Sequence, residues 1–278
     1  MHAIGAVLFL AAGIVPTKGW FAPSQPLNVS VKAEGDASLV LTDYNGRVLE
    51  NKAPTDVTGE ATINLRDLYV AVQTPGTYVL YLTKRGGGPE EFVGTPLVIS
   101  VREDRRRGAP PGPMVVRVEP LRYAVMHTAH GPVTMAFYYD VAPNTVNTIL
   151  SLAEQGYFDG LTFHRVVPGF VIQAGDPQTR DMSKREQWGR GAAAGSGKPV
   201  GVAEFSKTHL HTTGAVAMAH AGDAAQADSQ FYVTLGPKPA LNGKYAVFGH
   251  VISGADVPAK IEVGDVIKRM YVKTAPAK

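Results

Sequence analysis

Between positions 27 and 101 apolar residues recur at every second place in short runs, and turn residues divide one run from the next. NVSVKA at 28–33 alternates, SLVLTD at 38–43 runs into Asn45-Gly46, and ATINL, TYVLYLT and PLVISV follow, with Pro75-Gly76 immediately before the second of these. A period of two sends alternate side chains to one face of a strand, and Asn-Gly tolerates the positive φ that a tight hairpin demands. No 3.6-residue period interrupts the series, so a small β-sandwich of immunoglobulin-like type is expected over 20–102. Nothing in that stretch has the makings of a catalytic centre.

The pattern changes after position 119. RYAVMHT and PVTMAFYY, on either side of Ala129–Gly131, predict two antiparallel strands joined by a turn. Pro143 then opens a helix, where a missing N–H costs nothing. Val146, Ile149, Leu150 and Ala153 give it one apolar face before Gly156 stops it. LTFHRVV at 161–167 and FVIQAGD at 170–176 read as strands on either side of Pro168-Gly169, as do Ser229–Leu235 and Lys244–Val251. Strict alternation would put Arg165 on one face with Phe163 and Val167, and would point Phe170 away from Val171 and Gln173. Phe170 and Val171 can line one site only if their strand starts irregularly.

Between these halves EDRRRGAPPGPM, at 103–114, concentrates charge, Pro and Gly with almost nothing to bury, which marks a semi-rigid linker over 103–119. The expected organisation is therefore an export segment at 1–19, a sandwich at 20–102, this linker, a second domain at 120–273 and a tail at 274–278. The apolar run Ala3–Val15 is shorter than the ~20 residues of a transmembrane helix but suits a signal-peptide core. It predicts a periplasmic or secreted protein without a transmembrane span; a buried first strand in a cytoplasmic protein is the alternative.

Composition narrows the chemistry. The chain has 278 residues and no cysteine, which removes disulfide frameworks, thiolate zinc sites and cysteine nucleophiles. Its net charge is +3, and residues 1–119 carry equal numbers of basic and acidic residues, so no basic stripe for nucleic acid follows. His209, His211 and His220 lack the spacing and the carboxylate that a metal site needs. In GAAAGSGKP at 191–199 Pro199 stands where a phosphate-binding loop requires Ser or Thr. No metal, nucleotide or other cofactor is expected.

YFDGLTFHRVVPGFVIQAGD at 157–176 resembles the signature of the cyclophilin-type peptidyl-prolyl cis-trans isomerases. GAVAMAHAG at 214–222, SQFYV at 229–233 and LNGKYAVFGHV at 241–251 agree in the same order. The resemblance covers about 120–273. It implies a closed eight-stranded antiparallel β-barrel with capping helices, and rotation about Xaa-Pro bonds in unfolded or flexible polypeptides as the activity.

Such a reaction needs little machinery. An Xaa-Pro amide prefers trans by only ~0.5–1 kcal/mol, yet rotation breaks amide resonance at a barrier of ~18–20 kcal/mol. The prolyl nitrogen pyramidalises in the twisted transition state and exposes a lone pair absent from the planar ground state, so a donor aimed at it binds the transition state selectively. Arginine, always charged and rich in donors, suits the task. The resemblance places that role on Arg165, with Gln173 orienting it and holding the substrate backbone. It places the proline pocket at Phe170, Val171, Tyr232 and Leu241, and a strand edge that pairs with the peptide at Ala219, His220 and Ala221. His164, Gln230 and Tyr245 complete the substrate-binding set. The sequence departs from many relatives at Val171, where they carry Met, and at Tyr232, whose hydroxyl needs a partner where they carry Phe. Ala240 replaces the Trp that contacts cyclosporin in animal cytosolic members, so weak cyclosporin sensitivity is expected. A module that grips proline-containing segments without turnover is the alternative. The partner of the N-terminal sandwich is unknown.

Overall fold

A computed structural model describes residues 12–103, 114–190 and 198–273. The first part of the expected export segment, residues 104–113 of the expected linker, all of GAAAGSG at 191–197 and the C-terminal tail lie outside the described residues. Two compact units divide at Leu121/Arg122.

In the N-terminal unit the strands are β1 (Gly13–Pro16), β2 (Trp20–Phe21), β3 (Asn28–Asp43), β4 (Asp56–Asn64), β5 (Gly76–Lys84), β6 (Leu97–Glu103) and β7 (Met114–Pro120), with one helical turn, α1 (Leu65–Leu68). They form one antiparallel seven-stranded sheet in the order β1-β3-β5-β6-β7-β2, and β4 pairs with β3 off this path. The sixteen-residue β3 organises it. Val29, Val31 and Ala33 are buried, the ladder to β4 slips between Ala33 and Asp36, and Leu39 and Leu41 are buried beyond the slip. Gly35 sits at that irregularity with φ +90°, which only glycine adopts without strain. Asn45-Gly46 does make a turn, Gly46 N–H donating to Asp43 C=O at 3.0 Å, but only Thr42 and Val48 bridge across it. The strand that pairs with β3 starts later, at Asp56.

Two boundaries differ from the sequence expectation. Gly13–Pro16, inside the predicted export segment, is a strand paired with Val29–Lys32. Met114–Pro120, all but its last residue expected in the linker, is a strand paired along the whole of β6. MVVRVEP is itself an alternating run, and the adjacent Pro and Gly hid it.

The C-terminal unit holds β8 (Tyr123–Thr128), β9 (Gly131–Phe137), α2 (Pro143–Glu154), β10 (Arg165–Val167), β11 (Val171–Ala174), β12 (Ala215–Met218), β13 (Phe231–Thr234), β14 (Val247–Ser253) and β15 (Arg269–Lys273). The eight strands make one antiparallel sheet in the order β10-β11-β13-β12-β14-β9-β8-β15. Their inward residues, among them Met126, Met135, Ile172, Met218, Phe231, Val233, Phe248 and Met270, share one core with Val146, Ile149, Leu150 and Ala153 of α2. The predicted apolar face is thus the buried one. Pro143 opens α2 as expected, but Ala142 offers no side-chain cap. Glu204, from a distant loop, supplies the acceptors instead: its carboxylate accepts from the N–H groups of Asn144 (3.0 Å) and Thr145 (2.8 Å) and from Asn144 Nδ2 (2.9 Å). An anion at a helix start satisfies amides that the helix cannot and complements its dipole.

The strand expected over 161–167 is shorter. Only Arg165–Val167 pairs with β11; Leu161 and Phe163 instead exchange backbone hydrogen bonds with Ile267 and Asp265, and Thr162 bridges Val266. Phe163 is therefore fully buried and leaves the expected common face, while Arg165 and Val167 keep it, both exposed. Among the described residues α2 is the one α-helix of this unit, and the segment after β14 makes only a 3-10 turn at Pro258–Lys260 in place of the second capping helix. Gly254 and Gly264, both at positive φ, bracket that turn and stop it from growing. No helix among the described residues is long and apolar enough to cross a membrane.

Candidate active site

The outer face of the C-terminal sheet carries a second, smaller apolar cluster. Its origin is register. Arg165 lies opposite Gln173, Gln173 opposite Tyr232, and Tyr232 opposite Ala217, so four residues on β10, β11, β13 and β12 form one row across the sheet. Because side chains alternate, Val171, Ala215 and Val247 share this face, while Ile172, Val216 and Val233 face the core. Phe170, Ala219, Leu241 and Tyr245 stand partly exposed around the cluster. The result is an apolar floor with a cation at one edge.

Arg165 reaches Gln173 Oε1 at 3.3 Å, and Gln173 Nε2 donates to Gln230 Oε1 at 2.9 Å. The guanidinium carbon lies 5.5 Å from the centre of the Phe170 ring. One amide thus holds the arginine from the side while one aromatic ring holds it from below. Phe170 precedes β11 in the Pro168-Gly169 turn, its N–H bonded to Val167 C=O, and this irregular start lets it join Val171 at one site.

Tyr232 is buried between two rings, stacked on His211 at 5.9 Å and edge-on to Tyr245 at 5.8 Å. Its hydroxyl and His211 Nε2 are 2.8 Å apart, and His211 Nδ1 lies 2.9 Å from Asn242 Oδ1. Asn242 Oδ1 can only accept, so Nδ1 carries the proton, Nε2 accepts, and the Tyr232 hydroxyl donates. Burial lowers the His211 pKa, opposed by the Asn242 hydrogen bond, which keeps the ring neutral. Burial raises the Tyr232 hydroxyl, with Tyr245 adding to it, so the phenol keeps its proton.

At the opposite end Ala219 N–H donates to Gln230 C=O at 2.9 Å, and His220 packs on Tyr245 at 4.5 Å with Nε2 on Lys244 C=O at 2.9 Å. Beside them lies a cavity of about 280 Å³ whose wall includes Gln173, Ala219, His220, Ala221, Arg190 and Gln230. Asp176, fully buried, accepts the Gly189 N–H at 2.6 Å and so fixes the loop that brings Arg190 there.

The residues singled out in the sequence therefore converge, with one exception. His164 lies against Gly189 rather than within the apolar cluster, half-buried beside Gln230 and the Asp176 carboxylate. Burial lowers its pKa, against the nearby Asp176 carboxylate. His211 and Asn242 belong to the site although the sequence reading passed over them. The signal was indirect: a tyrosine in an apolar pocket requires a partner for its hydroxyl, but nothing in linear spacing says which. Lys238, whose ammonium lies 5.6 Å from the Phe170 ring, was missed altogether.

Known proteins resemble the C-terminal unit. The family model described as "Cyclophilin type peptidyl-prolyl cis-trans isomerase/CLD" matches residues 123–276. Peptidyl-prolyl cis-trans isomerase B of Bacillus subtilis is 40% identical over 136 residues, covering 49% of this chain and 87% of that protein. A probable peptidyl-prolyl cis-trans isomerase of Brucella abortus is 36% identical over 155 residues, 56% of this chain and 79% of its own. Among solved structures, a cyclophilin-type isomerase of Cryptosporidium parvum aligns with a TM-score of 0.49 at 24% identity, covering 56% of this chain and 99% of that one. The match extends over more than half the chain, from the first strand of the C-terminal unit to beyond its last, and the chain belongs to the cyclophilin-type peptidyl-prolyl cis-trans isomerase family.

Proposed function

We propose that the C-terminal unit accelerates Xaa-Pro rotation by hydrogen bonding from Arg165 to the prolyl nitrogen of the twisted amide. The observation that carries this reading is the row Arg165, Gln173, Tyr232, Ala217, which sets a held guanidinium at the rim of a proline-sized apolar floor. The prolyl ring rests on Phe170, Val171, Tyr232 and Leu241. The segment before it pairs with the edge at 219–221, and the carbonyl preceding the proline swings over the exposed side. Gln173 restrains Arg165 and presents its amide to the substrate backbone. Since no covalent bond changes, neither a general base nor a neighbouring ionisation enters the scheme, and the neutral His211 serves to hold Tyr232.

Finer points belong to the same reading. The sheet closes into a barrel through 161–163, which bond to 265–267 just before β15; this supports closure by a segment that is not itself regular strand. The N-terminal unit is an immunoglobulin-like sandwich of unknown partner, a reading supported by a core drawn from all seven strands of its one continuous sheet. Export to the periplasm or beyond, and a role in folding client chains, rest on the apolar run at 3–15 and on the slowness of uncatalysed isomerisation, ~10–100 s.

Exchange between cis and trans forms of a short prolyl peptide, followed by NMR without a coupling protease, tests the mechanism. Arg165→Ala is expected to lower kcat/KM about 100-fold or more, the scale of losing one transition-state donor, with peptide affinity little changed. Equal rates for wild type and variant would favour the non-catalytic binding module instead.

A further inference from the structure

We infer that Lys238 is a specificity-determining residue, favouring substrates with a carboxylate on the residue that follows the proline. The inference rests on the isomerase reading above for the direction of the bound chain. Phe170 is the floor of the proline site, and two cations address its ring: Arg165 at 5.5 Å and Lys238 at 5.6 Å. Among the described residues neither forms an ion pair. Two like charges on one ring with no counter-ion are a site short of an anion.

The backbone makes this placement a fixed one. Lys238 lies between Pro237 and Pro239, both of which restrict φ, and the proline that follows keeps Lys238 out of the helical region, at φ −130° and ψ 67°. Its N–H donates to His211 C=O at 2.7 Å and its C=O accepts from Leu241 N–H at 3.0 Å, so the turn that supplies Leu241 to the pocket also positions Lys238. Lys238 is partly buried, which weakens water's competition for its charge.

Direction follows from β13. Its beginning, Gln230–Phe231, lies by the edge at 219–221, and its end meets Phe170, whose C=O accepts from Leu235 N–H at 2.9 Å. A peptide whose segment before the proline pairs along 219–221 leaves the pocket past Phe170 and Lys238. Arg165 serves the prolyl nitrogen, so Lys238 is the cation available to what comes next. A side-chain carboxylate and a free C-terminal carboxylate offer the same chemistry.

The test uses the full-length chain and amidated pentapeptides of one sequence with Glu, Gln or Lys after the proline, a Glu-before-proline peptide, and a Gln-after-proline peptide with a free C-terminus. Both Kd, by NMR titration, and exchange rate are measured. An exposed-to-half-buried charge pair of ~0.2–1 kcal/mol predicts that wild type favours Glu over Gln after the proline by about 1.4- to fivefold, and less in high salt. Lys238→Gln should abolish the preference while changing the Gln peptide less than twofold, and Lys238→Arg should keep it. The free-carboxylate arm shows whether a chain end serves as well as a side chain; a preference there that Lys238→Gln also removes supports the assignment. An unchanged Glu/Gln ratio in Lys238→Gln, no preference in wild type, or a preference confined to Glu before the proline overturns it. A Lys238-dependent Kd preference without any catalysed exchange would sustain this inference and refute the isomerase reading.

Discussion

Replacing Tyr232 by Phe removes one oxygen from the pocket, and two opposing effects follow. Removing a hydroxyl from an apolar floor is favourable if that hydroxyl has no partner. Here it donates to His211 Nε2 at 2.8 Å, and His211 is itself buried and committed through Nδ1 to Asn242. Without Tyr232 the Nε2 acceptor is sealed under a phenyl ring. A buried group stripped of its partner costs about 1–3 kcal/mol, more than a methyl-sized change in the floor returns. Tyr232→Phe should therefore destabilise the C-terminal unit by about 2 kcal/mol and lower its urea midpoint by ~1 M. Trp188 lies in that unit, its indole N–H donating to Gln178 C=O at 3.1 Å, so its fluorescence reports unfolding in a Trp20→Phe background, Trp20 being largely exposed. The decisive comparison is a double-mutant cycle: in a His211→Leu background the acceptor is gone, and Tyr232→Phe should cost less than about 0.5 kcal/mol. An equal cost in both backgrounds, or a stabilising Tyr232→Phe in wild type, refutes the reasoning.

Other outcomes follow from the same structure. Burial depresses both His211 and His164, so the unfolded chain takes up protons at a higher pH than the folded one. Stability is then complete above the ordinary histidine value of ~6.5 and declines below it until the depressed folded values are reached; a urea-midpoint profile should show this slope, and His211→Leu should flatten it. Glu204→Ala leaves the Asn144 and Thr145 amides of α2 uncapped and should cost about 1 kcal/mol, with faster hydrogen exchange at those amides while α2 beyond its first turn stays protected. Gly175→Ala should abolish folding of the C-terminal unit, since φ is +100° and an added Cβ would collide with the Ser229 carbonyl; soluble protein with a native melt would contradict that. Cyclosporin should inhibit weakly, because exposed Ala240 offers no indole, and Ala240→Trp should sharpen inhibition; nanomolar inhibition of the wild type would count against the argument.

Much of the C-terminal unit was legible because its elements are locally consistent. The hairpin of β8 and β9, the apolar stripe of α2 and the interval from Phe163 to Asp176 each declare themselves in a window of a few residues, where alternation, proline and glycine act directly on the backbone. Even the irregular start of β11 could be anticipated from Pro168-Gly169. By contrast, β7 is hidden by neighbours that carry the composition of a linker, and the apolar run Ala3–Val15 does not itself reveal whether sheet or membrane covers its end.

The chain's own order of residues determined that an arginine, a glutamine and a set of apolar side chains would be available, and which backbone stretches could be extended. Only the tertiary structure decided that Arg165, Gln173, Tyr232 and Ala217 stand in one row, since register between strands separated by tens of residues depends on which faces the core buries. It alone paired Tyr232 with His211 and set Lys238 over Phe170. Hydrogen bonds and charges act over a few ångströms of space, and sequence distance carries no record of that.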